Sequence, residues 1–212
     1  KPKGYTIPEK FEDYSKLLNS SYLMSSSNTV LSYLTDDIYR TSKGEIMNEN
    51  ANGEMIEYTK FNFSGCDDQE RNLYTFKHGQ VMTAGNSDPL WNDAYENIYV
   101  YNAVANNILN VPDGTKEQRE AKYAEALVGR AFEYLNLVNI FGNHYDPKTA
   151  STDYGVPILL SEVVGEGATY VRNTVAEVYE QIISDLRTAT PLLPEVATNV
   201  YHPSQTIGYA FQ

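Results

Sequence analysis

The stretch from Thr115 to Gly142 constrains the fold more than any other part of this sequence. Ala124, Leu127, Ala131, Tyr134, Leu135, Val138 and Phe141 recur at the 3.6-residue spacing of a single helix face. Thr115 and Gln118 stand at the capping-box spacing, in which each side chain satisfies a backbone N–H that the helix start leaves free. Gly142 is a natural C-terminal cap. The pattern predicts one helix over 116–141.

Three other segments carry the same kind of signal. A helix is expected from about Thr6, with Thr6 and Glu9 as its capping box and Pro8 in its first turn. Ile7, Phe11, Tyr14 and Leu18 follow at helical spacing, and a Ser/Asn-rich run from Asn19 to Asn28 interrupts the pattern. A second helix starts near Trp91, with Ala94, Tyr95, Ile98, Asn102, Ala105, Ile108 and Leu109 on its stripe. Val111-Pro112-Asp113-Gly114 stops it. Thr174 and Glu177 cap a further helix whose face is Val175, Val178, Tyr179, Ile182, Leu186 and Ala189, ended by Pro191. His202-Pro203-Ser204 reads as the entry to a last helix, and Gln212 falls when that helix has only begun. On this reading the chain is expected to be a fragment of a larger domain. Between the helices, residues 40–90 and 143–172 read as long irregular loops rich in turn signals, with short extended pieces expected around Met55–Phe63.

Composition removes several function classes. The 212 residues suit one large domain, or a domain and a fragment, and 42% hydrophobic with 21% charged residues is enough for a packed core. A net charge of -12 opposes any broad phosphate-binding face, so no nucleic-acid partner is expected. Neutral ligands such as sugars remain compatible with it. The 18 tyrosines against a single tryptophan supply flat faces with a polar tip, suited either to ligand contact or to a wet helix-packing rim. Cys66 is alone, so no internal disulfide forms. No apolar run reaches the roughly 20 residues needed to span a bilayer. The start at Lys1-Pro2-Lys3-Gly4-Tyr5 has no signal-peptide core and reads as trimmed.

No cofactor or metal is expected either. His78, His144 and His202 have no metal-ligand spacing. Gly165-Glu166-Gly167 lacks the flanking strand and helix of a dinucleotide site, and no P-loop or G-x-S-x-G is present. Asn48-Glu49-Asn50-Ala51-Asn52-Gly53 imitates the front of an EF-hand loop. Position one is Asn, however, and position twelve is Thr59, so a polar turn is the better reading.

Four blocks together resemble the SusD/RagB family of outer-membrane nutrient-binding lipoproteins. The first is Trp91-Asn92-Asp93-Ala94-Tyr95-Glu96-Asn97-Ile98-Tyr99, followed by Asn102, similar to the family's W-x-x-x-Y-x-x-I-x-x-x-N helix. The second runs from Ala121 to Gly142 through Gly129-Arg130-Ala131, Tyr134, Leu137-Val138 and Phe141-Gly142. The third is Gly155-Val156-Pro157, and the fourth is Arg172-Asn173-Thr174-Val175-Ala176-Glu177-Val178-Tyr179 with Ile182, Asp185-Leu186 and Leu193-Pro194. The resemblance covers the N-terminal portion of such a protein. It implies a mainly α fold of tetratricopeptide-like helix pairs with long irregular loops. It also implies a surface-exposed protein, held at the outer membrane by a lipid anchor absent from this chain, that passes an oligosaccharide or other nutrient to a TonB-dependent transporter. No catalytic role is expected.

For ligand contacts the sequence offers Asp67, Asp68, Arg71, Asn72 and Tyr74, in the loop before the second strong helix, and Trp91 at that helix's start. Sugars are held by ring stacking and by hydrogen bonds from such side chains. The alternative for Trp91 is a helix-end anchor, and for Asp67-Asp68 a solvated loop. Arg130, beside an apolar stripe and flanked by Glu125 and Glu133, reads as a structural ion-pair residue. Two other functions stay open. One is a helical scaffold that docks the transporter while the ligand binds elsewhere; the other, more distant, is a glycoside hydrolase built on paired carboxylates.

Overall fold

The computed structural model describes residues 8–20, 23, 45–49, 52–53, 55–59, 68–77, 88–163, 169–197, 199 and 201–212. In chain order the elements are α1 (Phe11–Leu18), β1 (Glu45–Glu49), β2 (Met55–Thr59), α2 (Asp68–Tyr74), α3 (Pro89–Asn107), α4 (Lys116–Phe141), α5 (Val175–Ala189) and α6 (Gln205–Ala210). Short 3-10 turns continue α3 at Ile108–Asn110 and α5 at Thr190–Leu192. The fold is mainly α. The chain divides into two compact units, one of Lys1–Ser26 with Pro89–Gln212 and one of Ser27–Asp88.

In the first unit α4 is the central element, packed on α3 and α5. Its bounds fall where the stripe and caps predict. The Thr115 backbone N–H donates to Gln118 Oε1 at 2.8 Å, and the Gln118 N–H donates to Thr115 Oγ1 at 3.2 Å. Residue pairs across α3 and α4 run in opposite directions: Trp91 meets Phe141, Asn97 meets Glu133, and Asn102 meets Arg130. The two helices are therefore antiparallel, and α5 returns along α4 in the same way, with Arg130 on Asp185 and Asn139 on Tyr179. Ile98, Val104 and Ile108 meet Leu127, Ala131, Tyr134 and Val138 in one buried core, which Val178, Ile182 and Leu186 complete. Gly129 lets α3 lie close, because a Cβ there would sit 2.3 Å from the Tyr101 ring.

The α5 start shows the same local logic. The Thr174 N–H donates to Glu177 Oε2 at 2.7 Å, and the Glu177 N–H donates to Thr174 Oγ1 at 3.2 Å. Thr174→Ala should lower stability by about 1 kcal/mol, the usual effect of losing an N-cap oxygen. An unchanged midpoint in urea denaturation would refute it.

Two expectations are corrected. The first helix starts at Phe11, not near Thr6. Thr6 lies outside the described residues and Glu9 precedes the helix. The end is capped instead by Asp13 Oδ2, which accepts from the N–H groups of Glu9 at 3.2 Å and Lys10 at 3.1 Å. Asp113, 102 residues away, accepts from the Phe11 N–H at 2.8 Å. Secondly, Leu109 leaves the stripe of α3 and is exposed, because it falls in the 3-10 turn, where the helical phase is lost. Gly142 caps α4 as expected, at φ -92°, outside the left-handed region. Glycine is needed there for space: a Cβ would approach the Val138 carbonyl to 2.6 Å.

The second unit contains an antiparallel hairpin in which Glu45 pairs with Thr59 and Glu49 with Met55. Asn52 and Gly53 lie between its strands, with Gly53 at φ 83°. Asn48 and Thr59, the first and twelfth positions of the EF-hand look-alike, are thus ladder residues of two different strands. Asp68–Tyr74 forms one short helix in the same unit. Residues 40–90 therefore hold more regular structure than their turn signals suggest. Cys66 and His78 lie outside the described residues.

Candidate functional site

Residues 155–161 cross the first unit as an extended strap, and side chains of α3 and α4, with Asn173 just before α5, hold it there. Gly155 N–H donates to Asn173 O at 2.8 Å, and Ile158 N–H donates to Asn173 Oδ1 at 2.9 Å. The buried Tyr134 hydroxyl donates to Leu159 O at 2.8 Å and accepts from Leu159 N–H at 2.7 Å. Burial raises its pKa to about 12, so it remains a hydroxyl able to do both. From α3, Tyr95 donates to Pro157 O at 2.7 Å and Asn102 Nδ2 donates to Leu159 O at 2.9 Å. Desolvation likewise pushes the Tyr95 hydroxyl far above its ordinary value.

Strap and helix enclose a cleft of about 590 Å³. One wall is the α3 face that carries Trp91, Asn92, Tyr95, Glu96, Tyr99 and Val100, and the other carries Leu159, Ser161 and Tyr170. Aromatic rings dominate the helix wall and Tyr170 adds one opposite, with amide, hydroxyl and carboxylate groups between them. Such a mixture suits a ligand that has flat C–H faces and a periphery of hydroxyls.

A buried polar network lies behind the cleft. Arg130 donates from Nε and Nη2 to the two oxygens of Asp185 at 2.8 and 2.7 Å, and from Nη1 to Asn102 Oδ1 at 2.8 Å. Gln181 Nε2 donates to Asp185 Oδ1 at 2.8 Å. The structural ion pair expected of Arg130 is present, but its partner is Asp185 rather than the flanking glutamates. Asn102 couples this network to the strap, so Arg130 fixes the cleft's wall without lining it. Glu125 instead bonds Lys122 and His202, each at 2.7 Å. Glu133 accepts from Asn97 Nδ2 at 2.9 Å in a buried site. Desolvation raises its pKa to about 7, the Asn97 hydrogen bond opposes the rise, and the Asp93 charge adds to it.

Of the described ligand residues expected from sequence, only Trp91 borders the cleft. It also anchors the helix start, with Tyr95 and Phe141 each 5.1 Å away and the Arg172 guanidinium 5.6 Å above its ring. Arg71, Asn72 and Tyr74 lie on α2 of the other unit, where Asn72 is buried and Arg71 exposed. Asp68 opens that helix. Asp67 lies outside the described residues. The sequence reading missed Tyr99 and Tyr170. Tyr99 stands one helical turn beyond Tyr95, a spacing that could have found it, but nothing local marks Tyr170. Among the described residues no group of His, Cys, Asp and Glu could hold a metal ion, and no helix is long and apolar enough to cross a membrane.

Solved structures share this fold. A Bacteroides vulgatus protein superposes with a TM-score of 0.69 at 23% identity, covering 98% of this chain and 44% of its own. A SusD superfamily protein from Bacteroides thetaiotaomicron gives 0.67 at 22%, covering 95% and 41%. A laminarin-binding SusD-like protein gives 0.65 at 21%, covering 96% and 39%. The chain thus spans less than half the length of these relatives. No curated protein sequence matches it significantly. The SusD-like family model, described as starch-binding and associating with the outer membrane, matches residues 10–212, and the chain belongs to that family.

Proposed function

We propose that this protein binds an oligosaccharide or polysaccharide at the cell surface and delivers it to a TonB-dependent outer-membrane transporter. The reading rests on one observation above all: a family member built on the α3–α4 scaffold carries an aromatic cleft with polar groups between its rings. The protein acts by capture, not by turnover, and a lipid anchor holds it at the membrane. This chain supplies the N-terminal part of the SusD-like domain. Trp91 forms one end of the cleft, and Asp67, Asp68, Arg71, Asn72 and Tyr74 are the ligand residues proposed for the second unit, taken by itself.

Affinity electrophoresis through gels containing individual polysaccharides tests capture, and reducing-end analysis of the same mixtures tests turnover. Retardation by at least one polysaccharide without new reducing ends is the expected result. Migration unchanged in every gel would refute glycan binding, and sugar release would refute capture without turnover. Delivery is tested by co-purification with a SusC-like transporter, and failure to associate counts against it.

A further inference from the structure

We propose that the cleft takes a neutral glycan in preference to an acidic one, and that Tyr99 and Tyr170 are its stacking faces. This rests on the glycan-binding reading above and adds the charge class and the residues that select it. Stacking requires a ring whose face is open. Trp91 does not meet that condition, since Tyr95, Phe141 and Arg172 surround it. The Tyr95 hydroxyl is committed to Pro157 O, and its ring is half-buried against Trp91. Tyr99 on the helix wall and Tyr170 on the strap wall are each 48% exposed while lining the same cleft. They bring aromatic faces from two separate elements to one space, with Val100 and Leu159 as apolar surface.

The charge class follows from the lining. No Lys, Arg or His is among the described residues that line the cleft, and the one carboxylate there is Glu96. A uronate or sulfate entering it would lose hydration and find no cation among the described lining residues, while the nearby Arg172 guanidinium is engaged with the Trp91 ring and the Phe141 carbonyl. It would also face Glu96, on a chain of net charge -12. A neutral pyranose incurs none of these penalties. Its C–H faces can cover the rings, and Asn92, Glu96 and Ser161 offer groups for its hydroxyls.

The test is isothermal titration of the full chain with neutral polysaccharides (glucans, mannan, xylan, galactan) and acidic ones (polygalacturonate, alginate, chondroitin sulfate). At least one neutral polymer should bind, with an affinity that does not fall as salt is raised. Tyr99→Ala and Tyr170→Ala should each weaken binding roughly tenfold or more, the loss of one anchoring ring. Tyr154→Ala, at an exposed tyrosine that does not line the cleft, should leave it unchanged. Circular dichroism confirms that each variant folds. Preference for an acidic polymer, or undiminished binding by both cleft variants, would overturn this inference and leave glycan capture standing. Binding to no polymer at all would remove both.

Discussion

Replacing Arg130 with methionine should cost about 3–5 kcal/mol of stability, enough to leave a domain of ordinary stability largely unfolded. The side chains of Arg130 and Asp185 are only 8% and 5% exposed. Without Arg130, the buried Asp185 carboxyl group loses both guanidinium bonds and retains the Gln181 amide, and Asn102 Oδ1 loses its guanidinium donor. The opposite expectation holds for the pair removed together. Arg130→Met with Asp185→Leu replaces two desolvated charges by apolar groups of similar reach, and such replacements are often neutral or stabilising. The double variant should therefore recover most of the loss. Urea denaturation of the wild type, both single variants and the double variant completes the cycle. Single losses below about 1 kcal/mol would show that water reaches the pair. A double variant no better than Arg130→Met would place the cost in lost packing instead. The Asn102 link adds a further expectation: strap amides such as Leu159 should exchange faster in Arg130→Met than in Thr174→Ala.

What was legible in the sequence divides along a physical line. The bounds of α4 and the start of α5 could be read because their determinants are local. Thr115 with Gln118 and Thr174 with Glu177 bond within one helical turn, so spacing alone locates them. The start of α1 was only half legible, since Asp13 caps it within one turn but Asp113 does so from across the fold. The need for glycine at 142 was visible, but its cause, close approach to the Val138 carbonyl, was not. Arg130 was recognisable as a buried ion-pair residue, yet Asp185 is 55 residues away and no periodicity connects them. The cleft suffers most, because helix residues 91–102 make it jointly with Leu159, Ser161 and Tyr170. Only the helix side has a pattern. Residues 67–74 attracted attention through composition, whereas the cleft's open rings belong to helix and strap.

The second large effect concerns Glu133, and it reverses the usual expectation for a charged residue. Glu133→Gln should stabilise the protein, and increasingly so as pH rises. The folded-state pKa of Glu133 is raised from 4.5 to about 7 by burial. A raised carboxyl pKa means that the folded chain holds the proton more tightly than the unfolded chain does. Its contribution is fully present below the unfolded pKa near 4.5, is lost as pH climbs through about 7, and is absent above that. At about 1.4 kcal/mol per pKa unit, the loss across this window is on the order of 3 kcal/mol. Glutamine keeps the shape and never ionises. Its amide can also donate to Asn97 Oδ1, a buried acceptor without a partner among the described residues. The variant should match the wild type near pH 4.5, exceed it by roughly 2–3 kcal/mol at pH 8, and have a flatter stability profile between those values. Glu133→Ala would confuse this with a cavity, so the isosteric change is the informative one. Denaturation curves for both proteins across that range decide the matter. Parallel pH profiles would mean that Glu133 stays ionised and solvated in the folded state, and that Asn97 Oδ1 has a water for its partner.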